Sequence, residues 1–304
     1  QMIVAVTNRV LVYDAVEADL LQSLRGHKGT VFTVAYSSNG KFFASGGADN
    51  TIIIWNSDAE GQLKYNHNDP IQKLAYNPVT QQLISCTASD FGLWSPEAKA
   101  VQKHKVQSRI LCADWTRNGQ FVALGMYNGV ISIRHNVDSQ CEEKFRIEKS
   151  APVWCLAWNP NPKDSFDTLA VGCWDQTLSF HTMDGPNGTE LSSKHLGYNP
   201  CDLNFVKDGE YFVIGGSNRK VQLMTADGIS LGDVAERESW VWSCTPRPGK
   251  SFVAVGANDG NISMYQQIFN TVHGLYEDRY AYRDNMTDVR YIYLPLFLYL
   301  LIVK

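Results

Sequence analysis

A unit of about forty residues recurs along this chain, and that period limits the possible folds more tightly than any other feature of the sequence. The clearest copy is SGGADNTIIIW, Ser45 to Trp55: a strand end of small residues, an Asp-Asn turn, then an alternating β-branched strand closed by Trp. Its echoes are LGMYNGVISIR (Leu124 to Arg134), VGCWDQTLSFH (Val171 to His181), IGGSNRKVQLM (Ile214 to Met224) and VGANDGNISMY (Val255 to Tyr265). Shorter forms are SCTASDFGLW (Ser85 to Trp94) and AVTNRVLVY (Ala5 to Tyr13). The closing residues Tyr13, Trp55, Trp94, Arg134, His181, Met224 and Tyr265 are spaced by 42, 39, 40, 47, 43 and 41 residues. That is the period of a four-stranded propeller blade.

Most units carry a preceding hairpin. Val31 to Ser45 alternates apolar and small residues around Asn39-Gly40, and Ile110 to Leu124 repeats the shape around Asn118-Gly119. Asn-Gly between alternating apolar residues is a strong hairpin signal. No stretch before Ile268 shows a helical period, so the chain reads as all-β: a seven-bladed β-propeller over residues 1–270 with its first blade incomplete. One blade cannot bury its own faces, whereas blades stacked around an axis bury each other. The longer fifth unit places surface loops at Pro160 to Asp167 and Asp184 to Lys194.

These motifs resemble the WD40 family. Gly26-His27 precedes the first strand of the second unit, and Ser45, Asp49 and Trp55 follow at the family's spacing. The resemblance implies a buried relay from Asp49 through His27 and Ser45 to the Trp55 indole N–H. His67 and His104 take the comparable positions of the third and fourth units but lack the preceding glycine, and later units lack the His. Finer matches are HNDPIQ (His67 to Gln72), DFGLWSPE (Asp90 to Glu97), the Leu124 to Arg134 run, and Thr271 to Asp288, which lies outside the repeat. They resemble the WD-repeat subunits of intraflagellar transport complex A over about residues 1–289. That implies a non-catalytic scaffold supporting retrograde ciliary transport, cilium assembly and delivery of membrane proteins to cilia. Its expected partners are other complex A subunits and ciliary cargo adaptors; its expected location is the cytoplasm, the cilium and the basal body. It further implies that residues before Gln1 supply the inner strand of the first blade, and that the family chain continues into a second propeller and helical repeats. The alternative is a generic WD40 adaptor of a coat or ubiquitin-ligase complex.

Other chemistry finds little footing. A net charge of -4 and a pI near 6.0 give no basic face for nucleic acid. Seven irregularly spaced cysteines fit neither a disulfide framework nor a zinc site; Cys112 and Cys155 read as small apolar filler. No HExxH or HxxxH cluster and no phosphate-binding glycine loop occurs, so no metal, cofactor or small-molecule substrate is expected. His27, Ser45 and Asp49 offer the residue types of a hydrolytic triad, but the repeat puts them inside one blade. An enzyme would need carboxylates or His on axis-facing strands, which read as Val, Ala, Leu, Cys and Gly.

Two segments are candidates for partner binding. If Val241 points inward, Trp240 and Trp242 share the opposite face, either covering the last blade's inner strand or anchoring a partner. Residues 271–288 read as a linker toward a second propeller, in which Tyr276, Arg279, Tyr280, Tyr282 and Arg283 offer a mixed polar-aromatic interface. From residue 289 the chain turns into an anomalous apolar tail, with Tyr291 to Val303 too short to cross a bilayer and broken by Pro295, so no membrane insertion is expected.

Overall fold

The computed structural model describes residues 1–96, 101–137, 140–183, 188–268, 273–276, 279–283 and 289–293. Seven antiparallel sheets follow one another in chain order and form a seven-bladed β-propeller. Blade I holds β1 (Met2–Val6), β2 (Arg9–Tyr13) and β3 (Leu20–Arg25). Blade II holds β4 (Val31–Tyr36), β5 (Phe42–Gly47), β6 (Thr51–Asn56) and β7 (Gly61–Asn66). Blade III holds β8 (Lys73–Tyr76), β9 (Leu83–Cys86), β10 (Asp90–Trp94) and β11 (Gln102–Lys105). Blade IV holds β12 (Ile110–Trp115), β13 (Phe121–Met126), β14 (Val130–Val137) and β15 (Gln140–Glu148). Blade V holds β16 (Val153–Trp158), β17 (Thr168–Cys173), β18 (Thr177–Thr182) and β19 (Thr189–His195). Blade VI holds β20 (Pro200–Val206), β21 (Tyr211–Gly216), β22 (Lys220–Thr225) and β23 (Ser230–Glu236). Blade VII holds β24 (Val241–Pro246), β25 (Phe252–Ala257) and β26 (Ile262–Gln266). The seven closing residues all fall in third strands, or in β2, which takes that place in blade I.

The core lies between blades. Ile52, Ile54 and Ala44 of blade II pack with Ile71, Leu74, Leu83 and Trp94 around blade III, all buried. Ala123, Ile131 and Ile133 of blade IV do the same with Val153, Leu156 and Val171 of blade V. Second and third strands of blades II to VI are therefore largely buried on both faces, as strands sandwiched between sheets must be. The outermost strands are not: β7, β15 and β19 are mostly exposed and polar.

The small residues at second-strand ends have a steric cause. A Cβ on Gly125 would lie 2.4 Å from Cys112 Sγ and 2.6 Å from Val153 Cγ1 of the next blade. A Cβ on Gly46 would lie 2.6 Å from Ile71, and one on Gly215 would lie 2.6 Å from Val241. Each glycine lets the following inner strand approach. Gly256 holds the same position in blade VII, where an added Cβ meets only Ser243, at 3.8 Å. Gly125→Ala is therefore expected to cost about 1–2 kcal/mol by overpacking. Gly256→Ala should change stability by less than about 0.5 kcal/mol. Urea denaturation of the two variants side by side checks the contrast.

Several expectations change. Of the loop expected from Asp184 to Lys194, residues 184–187 lie outside the described residues, and Thr189 onward is strand β19. Its polar TELSSKH sequence hid it, because an outermost strand has only one neighbour and faces water. His104 stands in the outer strand β11, paired with Phe91 and stacked on its ring at 4.9 Å, rather than in the loop that leads to blade IV's inner strand. The inner strands also carry charge: Lys73, Asp114 and Asp202 sit among the apolar residues read there. After blade VII comes a separate three-stranded antiparallel sheet of β27 (His273–Tyr276), β28 (Arg279–Arg283) and β29 (Val289–Tyr293), which spans the boundary drawn at 289. Residues 294–304, most of the apolar tail, lie outside the described residues. No helix among the described residues is long and apolar enough to cross a membrane.

Candidate partner-binding face

In blade II, the loop after β3 and the β5–β6 turn bring the four relay residues together. Asp49 accepts from His27 Nδ1 at 3.1 Å, His27 Nε2 meets Ser45 Oγ at 2.8 Å, and the Trp55 indole N–H donates to Ser45 Oγ at 2.9 Å. The carboxylate can only accept, so Nδ1 carries the proton, Nε2 accepts from the hydroxyl, and the hydroxyl oxygen takes the indole N–H. Burial works against ionisation of Asp49, but the Lys28 backbone N–H at 2.7 Å and the His27 ring outweigh it and lower its pKa. The group is enclosed, with Ser45 fully buried and His27 nearly so, which leaves no room for a substrate.

Blade III holds a second relay that the sequence did not reveal. His67 Nδ1 lies 2.7 Å from Asp90 Oδ1 and its Nε2 lies 2.8 Å from Ser85 Oγ, while Thr87 Oγ1 also donates to Asp90. Burial pulls the His67 pKa down, against the opposing pull of Asp90. The readable signal was spacing: Ser85 follows His67 by 18 residues, as Ser45 follows His27.

Inner-strand carboxylates also staple blades together. Asp114 Oδ2 accepts the Trp158 backbone N–H of blade V at 2.8 Å, and Asp202 Oδ2 accepts that of Cys244 in blade VII at 2.8 Å. Burial raises the Asp114 pKa to about 6, although the Trp158 and Trp115 N–H groups oppose it. All seven cysteines are buried free thiols, and burial pushes Cys112 and Cys155 well up, so neither is a nucleophile. Among the described residues no group of three or more His, Cys, Asp or Glu could hold a metal ion.

The exposed chemistry is aromatic. Five inner strands carry a register shift near their first residues, which leaves Phe32, Leu111, Trp154, Cys201 and Trp242 as the extra residue. A bulge re-aims its side chain away from the ladder. Trp154 stacks on Trp174 of the β17–β18 turn at 3.9 Å, with 10° between ring planes. Trp154 of blade V also meets Trp242 of blade VII at 6.0 Å. Between them, blade VI has only the small Cys201 at the bulge. Trp240 lies 5.6 Å from Trp242, and both are 38% exposed while Val241 between them is fully buried. The alternating orientation expected at 240–242 is thus present, and the two indoles join a run of four. Sequence reading missed Trp154 and Trp174; aligning the second residue of each inner strand, where Phe32, Trp154 and Trp242 coincide, would have exposed the first. Of the other candidates, Arg279 is exposed on β28, and Tyr280, Tyr282 and Arg283 share its backbone strand while Tyr276 ends β27.

A family model described as "IFT122 first beta-propeller" matches residues 1–266. The chain belongs to this family. It is 54% identical over 294 residues to the intraflagellar transport protein 122 homolog of Danio rerio and 53% identical over 293 residues to that of Mus musculus. Each match covers 95% of this chain and 24% of the relative, so the chain spans about a quarter of their length. Among solved structures, the β-propeller domain of Cps50 (Swd1) from Myceliophteria thermophila superposes with a TM-score of 0.73 at 12% identity, covering 86% of this chain and 91% of that one. That likeness shows the propeller fold alone. All four residues of the indole run, Trp154, Trp174, Trp240 and Trp242, fall within the matched residues.

Proposed function

We propose that this propeller is a non-catalytic, partner-binding part of a subunit of intraflagellar transport complex A. In this reading it serves as a scaffold for retrograde ciliary transport, cilium assembly and delivery of membrane proteins to cilia, working in the cytoplasm, at the basal body and in the cilium. Its partners are other complex A subunits and cargo adaptors. The observation that carries the proposal is the family match over residues 1–266. Two features agree with it: the Ser-His-Asp groups are enclosed as structural relays, and Trp240 and Trp242 are exposed and continue into the contiguous run with Trp154 and Trp174. Rigid blades hold such residues in place, so binding costs little ordering entropy. The alternative reading is a generic WD40 adaptor of a coat or ubiquitin-ligase complex; other WD-repeat relatives, such as the WD repeat-containing protein 26 homolog and THO complex subunit 3 of Arabidopsis thaliana, match at only 21% and 25% identity.

The test is affinity capture from ciliated cells. The wild-type protein is expected to recover complex A subunits, and Trp240→Ala/Trp242→Ala to lose at least one of them by about tenfold or more, as truncating clustered indole anchors does. Wild-type protein that recovers no complex A subunit overturns the assignment.

A further inference from the structure

We infer that the indole run Trp174–Trp154–Trp242–Trp240 binds a basic, extended protein segment by seating Arg or Lys side chains on its rings between flanking carboxylates. This rests on the reading of that face as a partner surface and names what the surface recognises. Two of the rings have their polar edges already used: Trp174 Nε1 donates to Pro200 O at 3.1 Å, and Trp242 Nε1 donates to Asn258 Oδ1 at 3.1 Å. Those bonds fix the ring planes and leave π surface as the available chemistry. An indole face attracts a cation through its quadrupole, more strongly than the other aromatic rings do.

The surrounding charge points the same way. Asp175 follows Trp174, Glu238 precedes Trp240 by two residues, and Asp259 follows the Asn258 that holds Trp242; Glu238 and Asp259 are exposed. Asp175 is partly buried, but bonds from Thr177 and Ser150 keep it ionised, and the Asn261 amide groups do the same for Asp259. The nearby cations are largely engaged. Lys149 Nζ lies 2.7 Å from Glu190, and Arg237 donates to the Tyr265 hydroxyl at 3.0 Å from a half-buried position. Arg219, exposed on the blade VI turn, is an opposing charge, as is exposed Arg109 just before the inner strand of blade IV. A ring-stacking site rimmed by carboxylates disfavours an acidic segment and gives a basic one more than apolar contact alone.

The probes are three fluorescein-labelled Gly/Ser peptides of one length, carrying spaced Arg, Glu or Leu residues, titrated into the intact protein and read by anisotropy. The Arg peptide is expected to bind about tenfold or more tightly than either other peptide, and to weaken with added salt. Glu238→Gln/Asp259→Asn should weaken the Arg peptide several-fold and Arg219→Glu should strengthen it; these surface changes leave the fold intact. Trp154→Leu should abolish the preference, with circular dichroism checking that the variant is folded. No saturable binding of the Arg peptide, equal binding of the Glu or Leu peptide, or carboxylate variants without effect each overturn the inference. If captured subunits are lost with Trp240→Ala/Trp242→Ala while the peptides show no charge preference, the partner face stands and only its basic ligand fails.

Discussion

Ser45→Ala is expected to lower the unfolding free energy by about 2–4 kcal/mol, because one missing oxygen strands two buried groups. The Trp55 indole N–H loses its acceptor at 2.9 Å and His27 Nε2 loses its partner at 2.8 Å, both at positions closed to water. Trp55→Phe removes the donor as well as its need for an acceptor, so its cost reflects packing against Phe43 and Ile53 more than an orphaned bond. The double variant Ser45→Ala/Trp55→Phe should therefore be less destabilised than the sum of the singles, with a coupling of about 1 kcal/mol. Urea midpoints for the four proteins measure it. Strict additivity would mean that the relay is a geometric coincidence.

Asp114 gives the second large effect, with the opposite sign. Its pKa rises from the ordinary 3.8 to about 6 in the fold, so the folded chain holds a proton that the unfolded chain releases. Stability contributed by this group is full below about pH 4, falls as pH rises through about 6, and is flat above. At 1.36 kcal/mol per unit the penalty approaches about 3 kcal/mol, and some remaining solvent contact at Asp114 reduces it to about 2. Asn keeps an oxygen to accept the Trp158 N–H and carries no charge. Asp114→Asn should thus match the wild type near pH 4 and exceed its stability by about 2 kcal/mol at pH 7.5. Denaturation at both pH values decides it: a variant less stable at pH 7.5 would show that the ionised carboxylate strengthens the fold.

The architecture was legible because its period is written in buried residues. Third strands such as Thr51–Asn56 and Thr177–Thr182 are packed on both sides, so their sequences cannot drift far from runs of apolar and small residues. The fourth strands were obscure for the converse reason: Gln102–Lys105 and Thr189–His195 mostly face water, and backbone pairing rather than an apolar pattern makes them strands. The relay in blade II was readable in full, whereas that in blade III was hidden by Asn66 where blade II has Gly26, and by a one-residue longer span from His67 to Asp90. Asp114 and Asp202 escaped notice because their partners are backbone N–H groups of the next blade, which no sequence pattern marks. The indole run was half visible. Trp240 and Trp242 announce each other across one residue, but Trp154 and Trp174 meet only because β16 and β17 pair as a hairpin.

The bulges have an evolutionary corollary. At Phe32, Leu111, Trp154 and Trp242 the backbone register itself leaves the side chain at least partly exposed, outside the regular cross-strand pairing, whereas Cys201 at the same place in blade VI is buried. Selection can therefore rewrite what this scaffold recognises one blade at a time, as a keyboard is relabelled without rebuilding its frame. A Trp, a Phe or a Leu at such a position alters affinity for a visitor while leaving the hydrophobic interior of the ring untouched.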